Sequence, residues 1–562
     1  MIKLATVFSG IGAIEHALSR MDLDKEIIFA CDNGDIDVLS KDIDLNMDQI
    51  NKELSYLKSL IENMEFSEED IDYENQLLTM LNAAENEYLN IEKNLDKLTI
   101  GDYKDMALNI LETILLNEDL HKTRVNVFNE FLDKLKSDSS LTQTKLYLYR
   151  LVLKLTNDFK RDNSMDELGK TKVDFYSAVN INWLEVSEPL KTLYDIYEIE
   201  NGSKFIRLVR NLSKTVGQLY GKINSVHHLD NIKHLNSYSD KKTYVDKIYE
   251  GKDKQNKVKI SYMANYDCSE EDFHWDASFL DGTQYLNEVD LFVGGSPCQS
   301  FSIVGQEKGL SDTRGTLFYE YARLVKEIQP KIFIYENVRA VLTNDCGKTW
   351  EKMKKVFQDL GYNVYFENEG KISILNSKNY GIPQNRNRLF VVGFRADLDL
   401  KQEFQFPKSI PLEYTMQDFL IENAPYGSFL PKKEVKFVEM ENNFDAGEIE
   451  KYFLSEKIKK SILKKGTKNF FSKPETDLEI ARPLLTTMHK MHRAGVDNYV
   501  TTEGRLRRLT PRECLRLMGF SDEWKIVVSD TAMYQQAGNS IVVDVLIHIM
   551  EEIIKCYPAI IE

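Results

Sequence analysis

Four segments of this 562-residue chain carry residues whose type and placement could do chemistry. Asp290-Leu-Phe-Val-Gly-Gly-Ser-Pro-Cys298-Gln299 drives an apolar run into a Gly-Gly-Ser-Pro turn and leaves a cysteine at its carboxyl end. Parallel sheets bind their ligands at that end of the strand. Cys298 is therefore placed as a nucleophile, against the inert buried thiol that a lone cysteine more often is. Ile332-Phe-Ile-Tyr-Glu336-Asn-Val338 brings a carboxyl group to the end of a second apolar run. In a closed pocket that group gains a raised pKa and can donate a proton or hydrogen bond; otherwise it is a helix cap. Gln384-Asn-Arg386-Asn-Arg388 sets two arginines on one face of an extended segment, suited to phosphate or carbonyl oxygens or else to a solvated surface. Phe8-Ser-Gly10-Ile-Gly12-Ala is a glycine turn opening a helix, and Asp32 follows about 20 residues on, where an acid can bind ribose hydroxyls. Alone, that turn is as consistent with a structural loop as with a ligand cradle.

The elements that must position these residues come in three styles. Residues 1–34 read strand, glycine turn, helix, strand. From 35 to 255 there is no proline before Pro189, and between Gly34 and Gly202 the only glycines are Gly101 and Gly169. Apolar residues recur there at helical spacing, as in Leu54, Leu57, Leu60, Ile61 and in Ala107, Ile110, Leu111, Ile114, Leu115, which predicts an all-helical block. From 256 to 395 apolar β-prone runs alternate with helical stretches, which predicts a doubly wound, mostly parallel sheet. Residues 396–481 are irregular and hold several prolines, and 482–562 return to regular patterning. Lys451–Lys468 holds seven lysines and one glutamate.

Composition bounds the class. A 42% hydrophobic fraction with 28 Tyr and 28 Phe is enough for sizeable cores and excludes wholesale disorder. No run approaches the roughly 18 apolar residues a membrane helix needs, and the start is unlike a signal peptide. Six scattered cysteines with no CxxC pair point to a reducing cytoplasm and to no metal site. The formal net charge of −17 argues at first against a nucleic-acid partner. Its distribution removes that objection: residues 36–120 hold 6 basic and 21 acidic residues, and 121–260 hold 25 basic and 18 acidic. Most of the negative charge therefore belongs to residues 36–120, the first part of the helical block, rather than to the segments that carry chemistry.

Taken together and in order, the motifs resemble those of the DNA (cytosine-5) methyltransferases of bacterial restriction–modification type. FSGIGA is similar to the family's first S-adenosylmethionine motif, SPCQSFS to its Pro-Cys-Gln loop, and GQEKGLSDTRGTLFYE to the continuation of that loop. YENV is similar to its Glu-Asn-Val motif and QNRNR to its Gln-x-Arg-x-Arg motif. RRLTPRECLRLMGF resembles the motif that supports target recognition, and QQAGNSIVVDVL the segment that returns to the cofactor pocket. The resemblance covers about 1–34, 256–394 and 482–562. It implies a catalytic domain in two parts (1–34 and 256–395), interrupted by a helical insertion over 35–255. A small target recognition domain over 396–481 and a supporting return over 482–562 complete the chain.

The resemblance also implies roles. Cys298 would attack C6 of a cytosine flipped out of double-stranded DNA, Glu336 would hold N3 and the exocyclic amine, and Arg388 would contact the O2 side. Arg386 would position the catalytic loop or backbone. S-adenosylmethionine would meet Phe8, Gly10, Gly12, Asp32, Pro297, Leu317, Asn539 and Ser540. Asp276 is the choice for the acid at the adenine amine, ahead of Asp267 and Asp281, although Trp275 stands where the family often has glycine. Gln299, Ser302, Gln306 and Arg314 are candidate DNA contacts. A monomer is expected, with a cognate restriction endonuclease as a candidate partner. Two alternatives remain: a tRNA cytosine-5 methyltransferase, whose Cys-Phe-Thr signature is absent here, and a partner-binding regulatory role for the insertion.

Overall fold

The computed structural model describes residues 1–44, 46–64, 71–96, 204–296, 317–368, 370–467, 470–471 and 473–562. These form two compact units: residues 1–36 with 234–562, and residues 37–233. In the first unit IKLATV makes β1 (Ile2–Val7), buried at all but one position. The glycine turn then opens α1 (Ala13–Arg20), and KEIIFAC makes β2 (Lys25–Cys31), parallel to β1.

The second unit is helical: α2 (Met47–Glu62), α3 (Ile71–Asp96) and α4 (Lys204–Lys233). Asn46 caps α2 by accepting from the amides of Asp48 and Gln49. The buried positions of α2 are Met47, Ile50, Leu54, Leu57 and Ile61, and those of α4 are Val209, Leu212, Val216, Leu219 and Ile223. That alternation of threes and fours is the seam of a coiled-coil-like bundle, and α3 completes it with Leu77, Leu81, Ala84, Tyr88 and Ile91. Leu60, off the seam, is only partly buried. The run from Ala107 to Leu115 lies outside the described residues.

The chain rejoins the first unit at His234, so α5 (Tyr238–Ile248), which the sequence assigns to the insertion, packs with the α/β unit. Then follow α6 (Lys257–Asn265), β3 (Phe273–His274), β4 (Leu291–Gly294), α7 (Leu317–Ile328), β5 (Ile332–Val338), α8 (Lys348–Gln358), β6 (Tyr362–Tyr365), β7 (Ile374–Asn376) and β8 (Asn387–Arg395). The sheet runs β3-β2-β1-β4-β5-β8-β6, with β7 paired to β8. Its first five strands are parallel, and β8 lies antiparallel to β5, β6 and β7. The chain leaves β1 toward β2 and β3, then crosses back to β4 on the other side of β1. That reversal opens a crevice at the carboxyl ends of β1 and β4.

Alternation along each strand feeds two cores. Leu291, Val293, Ile332, Ile334, Phe390 and Val392 enter one core with α1, while Phe292, Phe333, Tyr335, Leu389 and Val391 enter the other with α7 and α8. Residues 396–480 contribute mostly turns and α9 (Glu456–Ile462), capped by Ser455. The chain closes with the hairpin β9 (Tyr499–Thr502) and β10 (Arg505–Arg508), then α10 (Pro511–Arg516), α11 (Asp530–Asn539) and α12 (Val543–Cys556). The sequence Leu-Thr-Pro-Arg-Glu dictates the start of α10, with Pro511 in the first turn and a reciprocal Thr510–Glu513 capping box. Arg20 of α1 pairs with both carboxylate oxygens of Asp544 in α12 at 2.8 and 2.9 Å, fully buried. The chain's end is thereby tied to its first helix.

Candidate active site

The glycine turn after β1 is built by hydrogen bonds to the end of β2. The Ser9 amide and hydroxyl both donate to the Cys31 carbonyl, and the Cys31 amide donates back to Ser9 Oγ at 3.0 Å. Phe8, Gly10 and Gly12 all have positive φ. At Gly12 (φ +75°) any side chain is barred, because a Cβ would lie 2.2 Å from the Tyr266 ring, whose hydroxyl donates to the Ile11 and Gly12 carbonyls. Above Gly10 the approach is open: a Cβ there would meet nothing closer than the Phe8 carbonyl at 4.0 Å. Asp32 accepts from the amides of Gly10 (2.9 Å) and Gly34 (2.8 Å). Burial pushes its pKa up to about 6, and those two amides pull against the rise.

Asp276 lies just past the end of β3, whose His274 carbonyl accepts from the Asp32 amide at 3.1 Å. Its Oδ1 accepts from the Ser278 amide at 2.9 Å and its Oδ2 from the Tyr249 hydroxyl at 2.8 Å. Leu317 begins α7, half-buried, and Asn539 ends α11 with its side chain exposed. Ser540 is buried and hydrogen-bonds through its hydroxyl to the Ile541 carbonyl. Asp267 follows α6, and Asp281 is held by Lys241 and by its own cap of Thr283.

The catalytic half forms where β4 and β5 end together. A Cβ on Gly295 would lie 2.8 Å from Glu336 Oε2, so only glycine lets the β4 exit pass that carboxyl group. Glu336 accepts from Arg388 Nε at 2.8 Å. Burial raises its pKa, while Arg388 and then Arg386 oppose the rise. Next to it, Ser296 shares a hydrogen bond with the Tyr335 hydroxyl (2.7 Å), and Asn337 Nδ2 donates to that hydroxyl (2.7 Å) and to the Ser296 carbonyl (3.3 Å). The described chain stops there. Pro297, Cys298, Gln299, Ser302, Gln306 and Arg314 lie outside the described residues.

Arg386 and Arg388 meet different partners. Arg386 is fully buried, and its guanidinium donates to the carbonyls of Leu484 (3.0 Å), Gly538 (2.8 Å) and Ser540 (2.9 Å). Burial, with Arg388 nearby, pulls its pKa down to about 9 against the pull of Glu336. Of the two oxygen types the spacing suited, Arg386 therefore takes carbonyls and braces the Asn539–Ser540 segment. The RRLTPRECLRLMGF motif is likewise buried. Arg507 holds Glu513 and Glu422 at 2.8 and 2.6 Å, while Arg516 holds Asp522 at 2.6 Å and caps the carbonyls of Phe419, Ala424 and Pro425. These arginines fasten residues 419–425 to α10. In the lysine-rich stretch, Lys451 pairs with Asp530 and Lys459 with Glu456.

Three residues here escape the sequence. Tyr249 reaches Asp276 from the end of α5 across 27 positions, with no periodic pattern to announce it. Glu15, fully buried beneath the turn, accepts from Tyr262 at 2.6 Å and Thr6 at 3.1 Å, and burial raises its pKa. His16 is buried too and accepts from the Ser521 amide at 2.9 Å. A carboxylate or imidazole placed inside a helix gives no sequence cue to which hydroxyl or amide will meet it.

Residues 237–555 match the pattern of the family described as C-5 cytosine-specific DNA methylase. The Type II methyltransferase M.HhaI of Haemophilus parahaemolyticus is 34% identical over 271 residues, covering 47% of this chain and 75% of that protein. The Type II methyltransferase M.Eco47II of Escherichia coli is 33% identical over 296 residues, 50% of this chain and 69% of its own. Among solved structures, the S. pombe Dnmt2 methyltransferase aligns over 53% of this chain and 88% of its own, at 20% identity and a TM-score of 0.37. With more than half its length matched and a relative above 30% identity covered over three quarters, the chain belongs to the C-5 cytosine-specific DNA methylase family and is a DNA (cytosine-5) methyltransferase.

Proposed function

We propose that this enzyme methylates C5 of a cytosine in a specific double-stranded DNA sequence, with the base flipped out of the helix and Cys298 as the attacking nucleophile. The observation that carries the reading is Glu336. It sits at the end of β5 against the β4 exit that leads, three residues on, to Cys298, and it is held by Arg388 while burial raises its pKa. Cytosine C5 is a weak nucleophile until C6 takes an electron pair. The Cys298 thiolate adds to C6, forming a C–S bond and moving electron density toward C5 and N3. Glu336, whose pKa burial raises against the pull of Arg388, meets N3 as charge develops there, and the remaining N–H groups of Arg388 serve the O2 side. After substitution at C5, loss of the C5 proton lets the C6–S bond break and returns the Cys298 thiolate. Flipping costs a few kcal/mol and exposes C6 to attack.

S-adenosylmethionine supplies the electrophilic methyl group when bound. The donor chemistry fits: it brings two ribose hydroxyls and an adenine amine, all donors, to a site whose two carboxylates, Asp32 and Asp276, are acceptors with lone pairs to spare. The open backbone at Gly10 gives the approach. Phe8, Gly10, Gly12, Asp32, Asp276, Pro297, Leu317, Asn539 and Ser540 are the residues we assign to it. DNA contacts fall to Gln299, Ser302, Gln306 and Arg314. Among the described residues no helix is long and apolar enough to cross a membrane. We assign the enzyme to the cytoplasm as a monomer; the five described cysteines are free thiols, as a reducing compartment keeps them. We assign residues 37–233 an accessory role. Excising them across a short linker is expected to leave methyl transfer within a few-fold, and a lost partner, such as a cognate endonuclease, would identify the bundle as a docking module.

Tritiated methyl transfer tests the whole reading. Wild type is expected to label double-stranded DNA and leave tRNA unlabelled, and Cys298→Ala to label neither. Activity in Cys298→Ala, or labelling of tRNA alone, overturns it.

A further inference from the structure

Asp276 is the acid assigned above to the adenine amine, and the inference here rests on that assignment. What holds Asp276 is a residue outside the family motifs. Tyr249 caps α5, is 1% exposed, and stacks on Trp275 with ring centroids 4.9 Å apart and planes 7° from parallel. Its hydroxyl donates to Asp276 Oδ2 at 2.8 Å, while the Ser278 amide donates to Oδ1 at 2.9 Å. The far end of α5 is pinned nearby, since Tyr238 hydrogen-bonds His274 of β3 at 3.3 Å and Tyr285 at 2.7 Å.

We propose that Tyr249 is a positioning and selectivity residue: by donating to Asp276 it holds that carboxyl group as an acceptor-only carboxylate, tuned to a purine bearing a 6-amino group. Each carboxylate oxygen already receives one donor and keeps a lone pair for another. An exocyclic amine brings that donor. A 6-oxo group brings a second acceptor, which the carboxylate repels. Burial, then the nearby Asp276 charge, pushes the Tyr249 phenol well above its ordinary range, so it remains a donor at every working pH. Without the phenol proton, Oδ2 is a buried acceptor with no donor, in a group whose pKa burial already raises. Asp276 then takes up a proton more readily, and in that form it can donate to a 6-oxo group. The Trp275 at this point, unexpected for the family, is the surface on which the tyrosine ring is held.

The test is calorimetric binding of S-adenosylhomocysteine and S-inosylhomocysteine to the full chain, with no turnover needed. Tyr249→Phe keeps the ring on Trp275, and circular dichroism checks its fold. Wild type is expected to prefer the adenosyl ligand by more than tenfold. Y249F is expected to lower that preference by about tenfold through weaker adenosyl and equal or stronger inosyl binding. Asp276→Asn separates the two ideas. A preference that collapses in D276N and persists in Y249F overturns the role of Tyr249 alone. One that persists in D276N overturns the assignment of Asp276 and the inference with it.

Discussion

Arg388 donates through Nε to Oε1 of Glu336 at 2.8 Å, across strands that pair Arg388 with Val338 and Phe390 with Glu336. The two side chains are therefore diagonal neighbours on one face of an antiparallel pair, within reach of each other by the register alone. Both are largely screened from solvent, at 20% and 13% side-chain exposure. Glu336→Gln preserves shape and the Arg388 contact but removes the group that carries a proton toward N3. Methyl transfer should fall by about 10²–10³-fold, with S-adenosylhomocysteine affinity within about two-fold. Single-turnover kinetics and calorimetry on the same protein check this; an equal loss in both would assign Glu336 to folding instead.

Cofactor affinity should depend on pH through Asp32. The free carboxyl group titrates at about 6, and ribose hydroxyls donating to the carboxylate would lower that value in the complex. Binding then favours the deprotonated form, so affinity is full above pH 7 and falls as pH drops through 6. With about one tenth of Asp32 ionised at pH 5, the dissociation constant should rise about tenfold between pH 8 and pH 5. Asp32→Asn should bind weakly with no such slope. A wild-type profile as flat as that of the variant would separate Asp32 from the ribose.

Stability should fall in acid through His16. Burial, then Arg20, lowers its pKa to about 3, so the folded chain keeps the ring neutral and accepting from the Ser521 amide. The unfolded chain binds the proton near the ordinary value of 6.5. Below 6.5 the unfolded state therefore binds more protons, and stability drops as pH falls. From pH 7 to pH 5 the cost is about 2 kcal/mol from this residue. Urea unfolding of wild type and His16→Gln at pH 5, 6 and 7 measures it. The variant should lose less on acidification, because glutamine can accept from the same amide and does not titrate.

Legibility in the sequence followed the kind of information each feature needs. Asp32 and Glu336 are readable because an apolar run ending in a glycine turn or a lone acid fixes strand, direction and exit at once, and parallel sheets use that end. The α2 seam is readable from its period. The partners are not. Nothing at Tyr249 says that it will meet Asp276, and the boundary at His234 falls inside continuous helical patterning that gives no break between bundle and α/β unit. The two arginines of QNRNR show the limit most clearly. Their spacing suits one face, yet whether each meets a carboxylate or a carbonyl depends on chain about 50 residues away for Arg388 and about 100 to 150 for Arg386.

That distance gives the last prediction. Arg386 ties β8 to Leu484 and to both carbonyls flanking Asn539, three bonds from one planar group in a site without water access. A lysine carries the charge but cannot span three carbonyls from one nitrogen in that fork. Arg386→Lys should therefore leave at least one or two carbonyls unsatisfied and cost about 3 kcal/mol of stability. Because those carbonyls bracket the residue assigned to the cofactor wall, S-adenosylhomocysteine should bind several-fold more weakly, whereas the same loss of stability placed elsewhere, as in Arg20→Met with its Asp544 partner, should leave affinity unchanged. Urea unfolding paired with calorimetry on both variants decides the point. Equal affinities in the two would show that Arg386 serves the fold without holding the cofactor wall.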